Sequence, residues 1–268
     1  MTEHKITRDG VTLHAQVDGN EDTNAPTIMF ANSLGTTLHL WDGILPLLPA
    51  GLRVIRYDMR GHGKSDVPPA PYRMGALVSD AEAICDALNV RDCLFVGLSV
   101  GGMVAQGLAV KRLDIVRAMV LSNTAAKIGN VPLWQDRIDA VRAQGLPAMA
   151  DGVMDRWFGK AFRASPQIDA WRDMLIATDI EGYTGVCAAI AGTDFYTPTS
   201  GLRLPTLGIA GGQDKATPPD LVRETVDLIP GSEFALMHRA GHLPCAEQPE
   251  DYADLLNGFL TKIGHLPH

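Results

Sequence analysis

Gly97-Leu98-Ser99-Val100-Gly101 sets a serine between two glycines, after an apolar run at residues 93–96 and before a helix-like run at 103–110. At this spacing a sharp strand-to-helix turn lifts the hydroxyl above a sheet edge, and the glycines let neighbouring backbones approach without a Cβ clash. The first turn of the helix then points unpaired N–H groups, the positive end of its dipole, at charge developing near the serine. An exposed hydroxyl beside free donors is what acyl transfer requires. With eight serines and 27 glycines in 268 residues, the pattern is expected by chance about 0.08 times, so it is a specific signal.

A serine hydroxyl needs a base, and the base needs a group to orient it. When the serine sits at such an elbow, those groups belong on loops after later strands, in the order Ser, Asp, His. Asp214 follows the apolar run at 206–210 in a Gly-Gly-Gln-Asp turn, and His242 follows the last apolar run in Ala-Gly-His-Leu-Pro. His238 is the rival base. It stands at the end of the strand itself, where the sheet sets its direction, whereas a base must reach from a loop, so His242 is preferred. Asp214 could otherwise simply cap the helix starting near Pro218. Two backbone N–H groups should receive the oxyanion: that of Val100, and that of Leu34 in the small-residue loop Asn32-Ser33-Leu34-Gly35, with Ser33 as runner-up.

The elements around these residues alternate. Short apolar strands are predicted at residues 11–17, 27–30, 53–57, 93–96, 116–121, 206–210 and 233–237, with helices at 37–48, 74–88, 103–110, 219–228 and 249–263. Strand–helix alternation predicts an α/β fold, a mostly parallel sheet with helices on both faces and sites at the carboxyl ends of its strands. Between 123 and 199 the alternation stops. Helical patterns at 133–143, 149–158, 169–178 and 182–190, with three of the four tryptophans, predict a helical insertion over the sheet edge. Residues 1–122 and 200–268 then form the core and 123–199 a lid. Trp157, Phe158 and Trp171 read best as filling of that lid. Gly63-Lys64-Ser65 resembles the end of a phosphate-binding loop, but the glycine required five positions before Gly63 is Asp58, so nucleotide binding is rejected and His62 is read as a structural or rim residue.

Hydrophobic content of 46%, charged content of 20% and a net charge of −8 describe an ordinary globular chain with no basic face for nucleic acid or anionic membranes. No apolar run reaches the roughly 18 residues of a membrane span. Cys85, Cys93, Cys187 and Cys245 form no Cys-x-x-Cys pair and read as buried free thiols, which together with the polar N-terminus points to a reducing cytoplasm.

With these residues in view, the chain resembles the α/β-hydrolase superfamily over nearly its whole length. Gly97 to Gly101, Asp58-Met-Arg-Gly-His-Gly-Lys-Ser65, Asp214, Ala240-Gly-His242 and the insertion carry the likeness. Within it, Phe30-Ala-Asn-Ser-Leu-Gly-Thr36, Leu40-Trp-Asp42, the segment from Leu98 to Gln106, and Ser122-Asn-Thr-Ala125 ahead of Trp134 look most like the 3-oxoadipate enol-lactonases; many relatives carry His-Gly where Asn32-Ser33 stands. The resemblance implies hydrolysis of a five-membered enol-lactone to 3-oxoadipate, in bacterial breakdown of aromatic compounds, through an acyl-enzyme on Ser99, with no metal or organic cofactor. Such a substrate carries a carboxylate, and with a net charge of −8 a local cation must hold it. Arg137, at i+3 from Trp134 on one helix face, is the candidate, with Trp134 packing on the ring. The triad alone does not separate a lactonase from an esterase, a C–C hydrolase or a perhydrolase, and fold alone does not exclude a non-catalytic receptor.

Overall fold

The computed structural model describes residues 1–266; residues 267 and 268 of the expected core segment lie outside the described residues. Eight strands form one sheet in the order β1-β2-β4-β3-β5-β6-β7-β8: β1 Thr2–Arg8, β2 Val11–Gly19, β3 Thr27–Ala31, β4 Arg53–Tyr57, β5 Cys93–Leu98, β6 Val116–Ser122, β7 Thr206–Gly211 and β8 Glu233–Met237. Pairing is antiparallel for β1–β2 and β2–β4 and parallel from β4 to β8. Strands β3, β4, β5 and β7 are buried at every position because helices cover both faces; β3, β5 and β7 read as largely apolar runs, whereas β4 carries the buried Arg53 and Arg56.

Two sequence expectations change. Strand β1 was not anticipated, because Thr2–Arg8 is mostly polar. It is an exposed edge strand whose register comes from the Asp9-Gly10 turn, with φ of 48° and 77°. That dipeptide is the hairpin signal that would have found it. The helix expected at 37–48 is instead two short 3-10 turns, Leu38–Trp41 and Leu45–Leu47. Pro46 cannot donate to an α-helical ladder, and its ring opposes the carbonyl four residues back. Asp58 Oδ1 instead takes the Leu38 N–H at 2.8 Å.

Helix α1 (Met74–Ala87) packs on α2 (Val100–Lys111), and α2 lies against β3, β5 and β6. Between β6 and β7 come α3 (Val131–Trp157), α4 (Lys160–Arg163), α5 (Ile168–Ile176), α6 (Ile180–Ala191) and α7 (Tyr196–Ser200). Asn130 caps α3 by accepting the Leu133 N–H at 3.0 Å. The helix breaks at Gly145, whose φ of 78° and ψ of 162° are non-helical, just before Pro147. The two halves of α3 are the two helices expected from the sequence. Helix α8 (Pro219–Asp227) follows β7, while α9 (Pro244–Glu247) and α10 (Pro249–Lys262) close the chain. One hydrophobic cluster includes the central strands together with Trp134, Val141, Trp157 and Tyr183 of the β6–β7 helices. The insertion therefore shares the core of the sheet.

Candidate active site

Ser99 leaves β5 with φ 57° and ψ −118° and starts α2. This left-handed backbone is costly for a serine and persists only where the surroundings impose it. They do so on both sides. A Cβ on Gly97 would stand 2.2 Å from Gly101 O, and one on Gly101 would stand 2.2 Å from Ala31 O. The turn is held by Ser99 N–H donating to Ser122 O at 3.0 Å and Thr124 Oγ1 donating to Ser99 O at 2.6 Å.

Asp214 lies in the loop after β7, and His242 between β8 and α9. His242 Nδ1 is 2.8 Å from Asp214 Oδ2 in a pair whose side chains are almost wholly buried. With Nδ1 donating to the carboxylate, Nε2 is the basic nitrogen. Asp214 Oδ2 also accepts from Asn123 Nδ2 and Thr217 Oγ1, each at 2.8 Å, and Oδ1 accepts from the N–H groups of Ala216 and Thr217. Burial pushes the Asp214 carboxyl up, but the imidazole charge and N–H of His242, with Asn123 and Thr217, outweigh it and leave it below the ordinary aspartate value. His242 N–H donates to Trp157 O at 2.7 Å, so the end of α3 fixes the histidine loop. Ser99 and His242 line one cavity of about 440 Å³. They make no direct hydrogen bond among the described residues, as is common before substrate tightens such contacts.

Leu34 and Ser33 line the same cavity after β3. The Leu34 N–H has no partner among the described residues, and the Val100 N–H, at the first position of α2, has none within the helix. The loop is anchored on either side. Asn32 Nδ2 donates to Tyr57 O at 2.7 Å, and Gly35 N–H donates to His62 Nε2 at 2.9 Å. Burial lowers the His62 imidazole to about 4, so it is neutral and can accept that bond. His62 is thus the structural residue expected from the sequence, placed directly behind the Leu34 loop.

Trp134 and Arg137 face the cavity from α3. Arg137 lies 6.0 Å from the Trp134 ring centroid and donates through Nη1 to Tyr183 Oη at 3.0 Å. Arg156, from the second half of α3, lines the cavity too, and its Nη2 is buried without a partner among the described residues.

Residues 26–155 match the α/β-hydrolase fold family. Over 96% of both chains, the sequence is 34% identical to 3-oxoadipate enol-lactonase 2 of Acinetobacter baylyi. The chain belongs to the α/β-hydrolase family. Among solved structures this hydrolase is similar to the enol-lactonase from Burkholderia xenovorans, with 35% identity, TM-score 0.92 and coverage of 97% of this chain and 100% of that one. It is also similar to a hydrolase from Pseudomonas aeruginosa, with 38% identity, TM-score 0.91 and coverage of 96% and 98%.

The hydrolase geometry sorts the remaining expectations. His238 is exposed and lies at a separate surface groove with Arg239 and Asp251, away from Ser99. Phe158 and Trp171 do fill the helical layer, with ring centroids 5.7 Å apart, and Phe162 stacks on Phe158 at 4.7 Å. Trp157 departs from expectation by lining the cavity. Helical spacing does not reveal which core aromatic meets a void. All four cysteines are free and buried, and burial raises the thiols of Cys93 and Cys187 to about 12. Reading of the sequence missed Thr217, Arg156 and Glu247 altogether. Thr217 had a signal, since it stands three residues after Asp214 in an Asx-type turn. The other two had none, because their partners are distant in sequence.

Proposed function

We propose that this protein is a cytoplasmic serine hydrolase that opens 3-oxoadipate enol-lactone to 3-oxoadipate, a step in bacterial breakdown of aromatic compounds. The observation that carries the reading is the placement of Arg137 in the wall of the cavity on which Ser99 and His242 open. A hydrolytic site with a cation in its apolar wall suits a small acidic ester. Full-length relatives named as enol-lactonases support the lactone.

His242, oriented by Asp214, takes the Ser99 proton as Oγ attacks the lactone carbonyl. The carbonyl oxygen becomes an oxyanion received by the Leu34 and Val100 N–H groups. Collapse breaks the ring C–O bond, and the enolate oxygen leaves, taking the proton from His242; the enol then becomes the ketone. An enolate leaves more readily than an amine, so this acylation needs less assistance than amide cleavage. Water, deprotonated by His242, attacks the acyl-enzyme and releases the new carboxylate and Ser99. Helices α3 to α7 act as the lid, with Trp134 on the lactone ring and Arg137 at the substrate carboxylate.

Turnover of the enol-lactone by wild type and Ser99→Ala, beside a p-nitrophenyl ester, tests the reading. Lactone kcat/KM within roughly 10⁴–10⁸ M⁻¹s⁻¹, abolished in Ser99→Ala, is expected. Turnover of the neutral ester alone would keep the triad and overturn the substrate.

A further inference from the structure

Arg156 is a cation that makes no ion pair among the described residues. Its neighbour Asp155 is taken by Arg163 and by Lys215, the latter at 2.8 Å. The Arg156 Nη2 is buried, with no hydrogen-bond partner among the described residues, at the edge of the cavity that holds Ser99 and His242. Arg137 faces the same space, with one nitrogen on Tyr183 Oη and no carboxylate partner among the described residues. Burial lowers the Arg156 guanidinium below its ordinary value, and the nearby positive charge of Arg137 lowers it further. The other charged groups on this cavity, Asp136 and Lys215, are exposed, and Asp136 makes no ion pair among the described residues. Two arginines brought together beside a void, one with a buried unused donor, are costly unless an anion completes the set.

We propose that Arg156 and Arg137 form a two-guanidinium clamp for the substrate carboxylate, and that Arg156 is the residue that selects acidic over neutral substrates. The clamp rests on the reading of this cavity as the hydrolytic site. Arg137 is tethered to Tyr183 and flanked by Trp134, so it arrives pre-oriented. Arg156 supplies the free donor. A carboxylate matches a planar guanidinium fork with two parallel N–H···O bonds, which a lysine cannot reproduce. The site therefore takes small monoesters or lactones of dicarboxylic acids, and free dicarboxylates should occupy it as inhibitors.

The test compares mono-p-nitrophenyl adipate with p-nitrophenyl hexanoate, its neutral counterpart of equal carbon number, in wild type, Arg156→Met and Arg156→Lys. Thermal stabilisation by adipate is measured in the same proteins. Loss of a hydrogen bond to a charged group predicts a fall of about tenfold to a hundredfold in kcat/KM for the acidic ester in Arg156→Met, mostly in KM, with the neutral ester within about twofold. Arg156→Lys should fall between, and adipate should stabilise wild type but not Arg156→Met. Should Arg156→Met not fold, the same comparison in Arg156→Lys decides. Equal losses on both esters, or unchanged adipate stabilisation in the variants, would overturn the clamp. A wild type that prefers the acidic ester, loses that preference with Arg156 and leaves the enol-lactone untouched would keep the clamp and sink the lactone assignment. Lactone turnover with no effect of Arg156 would do the reverse.

Discussion

Asp214 accepts five hydrogen bonds from His242, Asn123, Ala216 and Thr217. A carboxylate so saturated has one orientation, and so does the imidazole it holds. Asn123 matters most among the supporting groups, because its Nδ2 also reaches Gly241 O at 3.2 Å, joining the aspartate to the histidine loop. Its φ of 44° is one that asparagine tolerates well. Asn123→Ala should lower kcat on acidic and neutral esters alike, by about tenfold, since one neutral hydrogen bond holding a buried charge is worth about 1.5 kcal/mol. Steady-state kinetics on both substrates checks this. Arg137→Ala belongs to the opposite class: KM for the acidic lactone should rise with a neutral ester nearly unaffected. Equal loss on both would remove Arg137 from the carboxylate subsite.

At the scale of elements, the histidine loop and the end of α3 are fastened by one residue of α9. Glu247 Oε1 accepts from Gly241 N–H at 2.6 Å and Oε2 from Gly159 N–H at 2.9 Å. Gly241 must be a glycine here, because a Cβ would stand 2.6 Å from Trp157 O. The carboxylate thus ties the segment after α3 to the loop that carries His242, while the Trp157 carbonyl takes the His242 N–H directly. Glu247→Ala should leave two backbone donors unsatisfied and cost about 2–4 kcal/mol of stability, read as a lowered Tm. Because those donors position His242, kcat should fall on every substrate while KM changes little. Unchanged Tm and kcat would show that water replaces the carboxylate without loss.

Across the whole molecule, two buried groups act against each other as pH falls. His62 titrates near 4 in the folded chain, against an ordinary 6.5, because burial disfavours its charge. Its neutral form therefore contributes stability that is complete above about pH 6.5 and is lost as pH falls toward 4. Burial lifts Glu247 to about 7 from 4.5. The folded chain then holds an extra proton between 4.5 and 7, so that group makes stability fall as pH rises through the same window. Between pH 5 and 6 the two slopes oppose and nearly cancel. Denaturant unfolding of wild type should give similar stability at both values. Glu247→Gln, which removes only the carboxylate slope, should be about 1.4 kcal/mol less stable at pH 5 than at pH 6. A flat profile in that variant would mean that His62 is not held neutral behind the Leu34 loop.

The local features were legible in sequence because their causes are local. Gly97, Ser99 and Gly101 define a turn by their own sterics, the buried strands announce themselves as apolar runs, and Gly145 with Pro147 marks the break in α3. Asp214 and His242 could be chosen because strand order fixes which loops meet at one sheet edge, and the structure joins them at 2.8 Å. The residues that escaped notice owe their place to the path of the chain. Strand β1 is polar because it is an edge, and its pairing comes from β2. Pro46 overrode a helical pattern between residues 37 and 48. Arg156 and Glu247 carry nothing local that marks them. Arg156 comes to the same cavity as Arg137 across the break of α3 at Gly145, and Glu247 meets Gly159, 88 residues away, only when the β6–β7 helices dock on the histidine loop. Steric and hydrophobic patterns act over a few residues and can be read along a chain; convergence of charges and donors on a cavity depends on three-dimensional closure, which the tertiary structure alone decides.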